Sequence, residues 1–227
     1  MQYAAPWHSI DIRHVQHHPM TTPGYDSDIT SQQEPATDIT PSKEDKARLD
    51  SIIRSTKAFQ QSEDEPFTLS SGIQSNHYFD IKTLNGDAEG LYTTAQILYG
   101  MIHRVGEINS VGGLESGSIP MAAAVSQLSY MLNPTRPITS FYVRKNPKEY
   151  GLQKMIEGIP RSPAIILEDV ITTGKSALRA ISALQEAGYE CRGLFSVIFR
   201  GEPQHLEMIN KRCRFHYIFA ESDFIAS

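Results

Sequence analysis

Several features are scarce in this sequence of 227 residues, and each scarcity excludes a class of protein. There are only two cysteines, Cys191 and Cys213, too few for a disulfide framework or a zinc ribbon. No apolar run approaches membrane-spanning length, and the N-terminus lacks the basic and then apolar pattern of a secretory signal. Positive charge is not in excess, since the formal net charge is −5. We therefore expect a cytoplasmic protein with reduced thiols that binds neither membrane nor nucleic acid.

The composition divides the chain into a tail and a folded domain. Prolines interrupt any periodicity over residues 1–41, where Ser, Thr, Gln and Asp dominate. The remaining residues, 42–227, are enough for one domain with a sizeable core. Apolar runs alternate there with helical spacing, which favours an α/β fold with a mainly parallel sheet flanked by helices.

The most informative stretch is residues 164–176. It begins with four apolar residues, typical of a strand buried on both faces of a parallel sheet. Two carboxylates, Glu168 and Asp169, follow this run, and the turn Thr172-Thr173-Gly174 leads into a predicted helix. Loops at this end of a strand are where open α/β sheets bind ligands.

The chemistry of this stretch suits a sugar phosphate. Backbone N–H groups of residues 172–176 lie at a predicted helix N-terminus, which favours a phosphate. Glu168 and Asp169 would repel a phosphate but can accept hydrogen bonds from sugar hydroxyls. A ribose 5-phosphate fits both halves. Gly174-Lys175-Ser176 also matches the end of a Walker A loop, but the first glycine of that motif would fall at Asp169. We therefore exclude a triphosphate-binding P-loop.

Residues 168–176 resemble the phosphoribosyl-diphosphate (PRPP) loop of type I phosphoribosyltransferases, and other segments narrow the resemblance to the orotate phosphoribosyltransferase branch. The resemblance covers roughly residues 43–225 and implies the type I phosphoribosyltransferase fold with a small N-terminal hood. It also implies that the loop binds PRPP. The implied PRPP-binding residues of this loop are Glu168, Asp169, Val170, Ile171, Thr172, Thr173, Gly174, Lys175 and Ser176.

Two further segments concern the base. Residues 67–80 read as two short strands around a Ser-Gly turn, and by pattern alone the aromatic residues are core. The segment resembles the S-G-x-x-S-x-x-Y-F-D region of the orotate branch, which implies that Tyr78 and Phe79 contact the pyrimidine ring. The resemblance also implies that Thr172 contacts orotate and that Arg200, at a predicted strand end, pairs with the orotate carboxylate. A surface arginine is the structural alternative for Arg200.

Residues 144–158 form a basic segment that is too long for a simple turn. Its composition fits either a solvated charged loop or a lid that brings cations to a diphosphate. It resembles the mobile loop R-K-x-x-K-x-H-G, which implies that Arg144, Lys145 and Lys148 bind PRPP and assist catalysis. In the family this loop reaches across a homodimer, so Lys145 is expected to act on the neighbouring subunit. Tyr150 replaces the common histidine and is expected to contact PRPP as a hydrogen-bond donor.

The resemblance implies transfer of phosphoribose from PRPP to orotate, giving orotidine 5′-phosphate and diphosphate in pyrimidine (UMP) biosynthesis. Mg²⁺ is the expected cofactor, held through PRPP rather than by protein ligands. Asp169 is expected to face the developing positive charge on the sugar, with Lys148 stabilising the leaving diphosphate. Two alternatives stay open: a phosphoribosyltransferase for another base, and a non-catalytic PRPP-sensing regulator. The aromatic pair and Arg200 argue against the first, and the lid cations argue against the second.

Overall fold

The computed structural model describes residues 39–69, 72, 74–146 and 155–225. Within these ranges the chain forms ten strands and seven helices. The strands are β1 (Phe59–Gln61), β2 (Phe67–Thr68), β3 (Gln74–Ser75), β4 (His77–Phe79), β5 (Ser110–Gly112), β6 (Thr139–Val143), β7 (Ile156–Gly158), β8 (Ala164–Ile171), β9 (Cys191–Phe199) and β10 (Phe215–Ala220). The helices are α1 (Lys43–Ser55), α2 (Ile81–Gly86), α3 (Ala88–Val105), α4 (Ser118–Leu132), α5 (Lys175–Glu186), α6 (Pro203–Asn210) and α7 (Ser222–Ile225). None of the helices described is both long enough and apolar enough to cross a lipid bilayer.

Six strands form the central sheet, in the order β10-β9-β8-β5-β6-β7. The first five are parallel, and β7 runs antiparallel to β6 at the edge. From β5 the sheet grows to one side through β6 and to the other side through β8, which makes a topological switch point between β5 and β8. Open α/β sheets bind ligands outside the carboxyl ends of the strands at such a point. The predicted α/β class with a mainly parallel sheet is confirmed.

Helices cover both faces of the sheet. Alternate residues of β8 enter different hydrophobic clusters: Leu167 packs with α3 and α4, whereas Ile166 packs with α5. The helix α5 presents Ala177, Ile181 and Leu184, all fully buried, to the sheet. This two-sided burial explains why β8 reads as a continuous apolar run.

The predicted carboxyl-terminal end of the central strand is wrong. The strand β8 does not end before Glu168 and Asp169 but continues to Ile171, because its ladder with β9 extends to the pair Ile171 and Phe199. The two carboxylates are therefore part of the strand, and only residues 172–174 connect it to α5. The edge strand β7 was also not expected from the sequence.

The N-terminal part forms a small layer beside the sheet, which we call the hood: α1, the antiparallel pairs β1–β4 and β2–β3, and α2. Ser42 caps α1, as expected, by accepting a hydrogen bond from the N–H of Asp45 at 3.0 Å. Ile39 packs against the core, and Arg104 donates to the carbonyl of Thr40 at 2.8 Å. Residues 1–38 of the predicted tail lie outside the described residues.

Candidate active site

A cavity of about 230 Å³ lies between the hood and the carboxyl ends of β8 and β9. It joins residues that are far apart in the sequence, from the hood and from the strand ends. Its lining consists of Thr68, Leu69, Tyr78, Phe79, Asp80, Ile81, Lys82, Asp169, Val170, Thr172 and Arg200. Six of these eleven were predicted from the sequence, and they come from both the proposed sugar end and the proposed base end.

The two adjacent carboxylates lie on opposite faces of β8. Successive side chains of a strand alternate between faces. Asp169 accordingly lies with the hood and the start of α4, where it contacts Gly117 and lines the cavity. Glu168 lies on the other face and is not part of the cavity lining. A ligand that contacts both carboxylates must therefore span the end of the strand.

Asp169 is a half-buried residue of the cavity lining. Burial raises the pKa of Asp169, and the neighbouring charge of Asp80 raises it further. The backbone N–H of Val170, which donates to Oδ1 at 2.8 Å, and the charge of Lys82 oppose that rise in pKa. The close approach of α4 depends on Gly117, because a Cβ there would lie 2.1 Å from Oδ2 of Asp169.

Glu168 is more deeply buried, with 6% of its surface exposed. Among the described residues, its Oε1 has no hydrogen-bond partner. Burial raises the pKa of Glu168 well above its ordinary value, and the charge of Asp169 adds to this, while Lys145 lowers it. An ionisable group with an unused buried acceptor is a common feature of a binding site.

The turn after β8 is built to begin a helix abruptly. Gly174 has φ +78°, in the left-handed region, and a Cβ there would lie 2.7 Å from Cδ1 of Ile209. The turn therefore requires glycine on two counts. It leads directly into α5, whose first N–H groups have no intrahelical partner. Thr172 lines the cavity, whereas Thr173, Gly174 and the start of α5 lie outside its lining.

The predicted aromatic pair lies in the cavity wall, but its two members are held differently. Phe79 is buried, and its ring packs 5.0 Å from that of Phe59 and 5.2 Å from that of Phe224. Tyr78 is half-buried and stacks on Phe67 at 5.5 Å. The structural interpretation and the binding interpretation thus both apply to Phe79, since a core residue forms part of the wall.

Arg200 follows the last residue of β9 and lines the same cavity, with 6% of its side chain exposed. Its Nη2 donates to Oγ of Ser75 at 2.8 Å and to Oε1 of Glu221 at 2.9 Å. Its Nη1 donates to the carbonyl of His77 at 3.3 Å, and its guanidinium lies 5.8 Å from the ring centroid of Phe79. Burial lowers the pKa of Arg200, and Glu221 opposes that change. The surface-arginine alternative is wrong for this residue.

Comparison with known proteins identifies the family. No protein-family profile matches the chain. An orotate phosphoribosyltransferase of Rhodopseudomonas palustris (strain TIE-1) is 36% identical over 186 residues, which cover 79% of this chain and 96% of that protein. The orotate phosphoribosyltransferase of Aquifex aeolicus is 42% identical over 142 residues, 61% of this chain and 76% of that protein. This chain belongs to the orotate phosphoribosyltransferase family.

Solved structures agree with this family. The structure of Mycobacterium tuberculosis orotate phosphoribosyltransferase in complex with Fe(III) dicitrate superposes with a TM-score of 0.63 at 29% identity. The match covers 79% of this chain and 98% of that one. A phosphoribosyltransferase structure from Corynebacterium diphtheriae gives a TM-score of 0.64 at 26% identity, again over 79% of this chain. The predicted type I phosphoribosyltransferase fold is confirmed.

The segment that was predicted to form a lid is described only in part. Residues 147–154, including the predicted Lys148 and Tyr150, lie outside the described residues. The backbone of Lys145 is fixed at the start of this segment, because its N–H donates to Oε1 of Glu115 at 2.7 Å and its carbonyl accepts from Arg179. Arg144 donates from Nε to the carbonyl of Asn146 at 3.2 Å. The charge of Lys145 lowers the pKa of Glu168 in the same chain.

The main site residue that sequence reasoning missed is Lys82. It lies in the first turn of α2 and lines the cavity, and its charge lowers the pKa of Asp169. The helix α2 has only six residues, too few for hydrophobic periodicity to reveal which face points to the ligand. A usable signal was the position of Lys82, two residues after the Tyr78-Phe79-Asp80 motif.

Proposed function

We propose that this protein transfers the phosphoribosyl group of PRPP to N1 of orotate, giving orotidine 5′-phosphate and diphosphate. The observation that carries the proposal is a single cavity lined by both Asp169 and the buried Arg200. The carboxylate of Asp169 suits a sugar, and the guanidinium of Arg200 suits a carboxylate-bearing base. Membership of the orotate phosphoribosyltransferase family supports the same pairing of substrates.

Around Asp169, the carboxylates of β8 and the hydrogen-bond donors of the following turn fit a ribose 5-phosphate. Ionised Asp169 can accept a hydrogen bond from a ribose hydroxyl and favours positive charge that develops on the sugar as the bond to diphosphate loosens. Glu168, with its unused Oε1, offers a second acceptor from the opposite face. The N-terminus of α5 and the hydroxyls of Thr172 and Thr173 supply donors for the 5-phosphate.

At the base end, the wall combines an apolar surface with a fixed cation. Tyr78 and Phe79 give a pyrimidine ring a flat aromatic contact. Arg200 can donate hydrogen bonds to a carboxylate. Because its guanidinium is buried, it discriminates strongly against bases that have no carboxylate. The cavity therefore favours orotate over neutral pyrimidines and over purines.

Mg²⁺ is proposed to enter this site together with the substrate. Within the described ranges, no group of three or more His, Cys, Asp or Glu is arranged to hold a metal ion. Mg²⁺ prefers oxygen ligands and usually retains water or phosphate oxygens. We propose that Mg²⁺ arrives on PRPP and neutralises the leaving diphosphate, while Glu168 and Asp169 bind the ribose hydroxyls next to it.

Three further parts of the proposal rest on the sequence. Lys148, Arg144 and Lys145 are proposed to stabilise the leaving diphosphate when the lid closes, and Tyr150 to contact PRPP. The protein is proposed to act as a homodimer, with Lys145 serving the neighbouring site. A cytoplasmic location is proposed because both cysteines of this chain are free thiols, which persist in a reducing compartment.

The test is an absorbance assay on the purified protein. We expect orotate absorbance to fall when PRPP and Mg²⁺ are added together, and to stay constant when either is omitted. Adenine, guanine and hypoxanthine replace orotate in parallel reactions, and diphosphate release is measured in each. No loss of orotate, or faster diphosphate release with a purine, would overturn the assignment to orotate.

A further inference from the structure

We propose that Glu221 is a positioning residue that fixes the guanidinium of Arg200 for recognition of the orotate carboxylate. The inference rests on the proposed function, since it concerns one of its two substrates. Glu221 does not line the cavity, so its role is to act through Arg200 rather than to touch the base.

The sheet topology places these two residues side by side. Strands β9 and β10 are parallel neighbours, and their last residues, Phe199 and Ala220, are paired in register. Arg200 and Glu221 are the next residues along each strand, so both emerge at the carboxyl edge of the sheet. The N–H of Glu221 donates to the carbonyl of Phe199 at 2.9 Å, which fixes its backbone relative to β9.

The guanidinium is held from the side away from the cavity. A guanidinium has five N–H groups, and contacts with Ser75, His77 and Glu221 use three of them among the described residues. None of these three partners lines the cavity, whereas Arg200 itself does. The two remaining N–H groups are therefore the ones available to a ligand in the cavity.

Glu221 supplies the only ionic contact in this arrangement within the described part of the chain. Ser75 and His77 offer a hydroxyl and a carbonyl, which are weaker acceptors than a carboxylate. His77 Nδ1 also lies 3.9 Å from Oε1 of Glu221, so the carboxylate connects the hood to the sheet edge through two partners. Loss of its charge should let Arg200 change rotamer, which weakens orotate binding and leaves the sugar end intact.

The experiment compares Glu221→Ala and Glu221→Gln with the wild-type enzyme. We expect KM for orotate to rise about tenfold in Glu221→Ala and about threefold in Glu221→Gln, whose amide oxygen can still accept from Arg200. We expect KM for PRPP and kcat at saturating orotate to change by less than about twofold. A fall in KM for orotate would overturn the proposal, because it would mean that Glu221 competes with the substrate.

Asp223→Asn is the matched control. Asp223 lies two residues further along, in α7, and pairs with Lys46 at 2.9 Å away from the cavity. We expect its kinetics to be those of the wild type, with thermal stability measured for all three variants. If KM for orotate is unchanged in Glu221→Ala, or if both KM values rise together, the positioning role is wrong while the proposed function stands. If the wild-type enzyme does not consume orotate, the proposed function fails first and the inference fails with it.

Discussion

The two ends of the central sheet treat polar side chains in opposite ways. At the amino end, polar groups are paired: Oγ of Ser110 donates to the carbonyl of Arg161 at 2.6 Å. Two N–H groups of Arg192 donate to Oε1 of Glu190 at 2.9 and 3.0 Å, in a pair that is partly exposed to solvent. Such contacts satisfy the strand ends and leave little for a ligand to use.

At the carboxyl end, charge is buried and incompletely paired. Glu168 and Asp169 both have raised pKa values because burial disfavours their ionised forms. Arg200 is buried at the neighbouring strand end. A protein that needed only stability would gain by removing these charges. The difference between the two ends indicates that the buried charges at the carboxyl end lower the stability of the folded protein and are retained to bind a ligand.

The largest effect should come from Asp169→Asn. The substitution preserves size but removes the negative charge that faces the sugar, so we expect kcat to fall by about 100-fold or more. Steady-state kinetics with PRPP and orotate measure the loss. Because burial raises the pKa of Asp169, wild-type activity should also decline as pH falls through that raised pKa, while the protein remains folded.

Asp50→Asn is the control for this substitution. Asp50 pairs with Arg54 on the surface of α1 at 3.1 Å. Its kinetics should match those of the wild type. Retention of kcat within threefold by Asp169→Asn would contradict the role given to this carboxylate and would weaken the contrast between the two ends.

A smaller effect is expected from Lys82→Ala. Its cationic side chain offsets the charges of Asp80 and Asp169 beside an anionic substrate, so we expect kcat/KM for PRPP to fall about tenfold. The charge of Lys82 lowers the pKa of Asp169, so its removal should shift the acidic limb of the pH–rate profile to higher pH. The control is Lys211→Ala, since Lys211 pairs with Glu207 at 2.8 Å on the surface of α6. An unshifted acidic limb would show that Lys82 does not act on Asp169.

The contrast between the ends also explains what the sequence could predict. The unit from β8 to α5 was recognisable because its apolar run, its acidic pair and its turn are all local in sequence. The sheet class followed from the alternation of strands and helices. Arg200 was identified through the resemblance and by its position directly after a buried strand.

Other features depend on contacts that no local pattern encodes. The placement of Glu168 and Asp169 on opposite faces follows from the length of β8, which is set by its ladder with β9. The alignment of Arg200 with Glu221 follows from the register between two strands that are separated by a helix. Lys82 is brought to the cavity by the packing of the hood, which no local sequence pattern reveals.

Glu168→Gln should separate stability from binding. The pKa of Glu168 is raised in the folded state, so its ionisation opposes folding, and wild-type stability is lost as pH rises through that pKa. We expect the variant to have a thermal midpoint about 2–4 °C above the wild type at about pH 8. The advantage should disappear below the ordinary glutamate pKa of about 4.3. PRPP affinity should fall at the same time.

Glu190→Gln provides the comparison at the amino end. Glu190 is exposed and pairs with Arg192, so its replacement should give no gain in thermal midpoint at any pH. Scanning calorimetry of both variants across the pH range measures this difference directly. An equal gain in both variants would mean that net charge, rather than burial of Glu168, limits stability.

The smallest effect is expected from Arg192→Ala. The substitution removes the contacts to Glu190 and a hydrogen bond from Nη1 to the carbonyl of Glu107 at 3.1 Å. Because the pair is exposed, the cost in unfolding free energy should be only about 0.5–1 kcal/mol. Both KM values and kcat should match the wild type. A change of threefold or more in kcat or either KM would mean that contacts at the amino end of β9 affect Arg200 at its carboxyl end. The conclusion that only the carboxyl end of the sheet serves ligand binding would then be wrong.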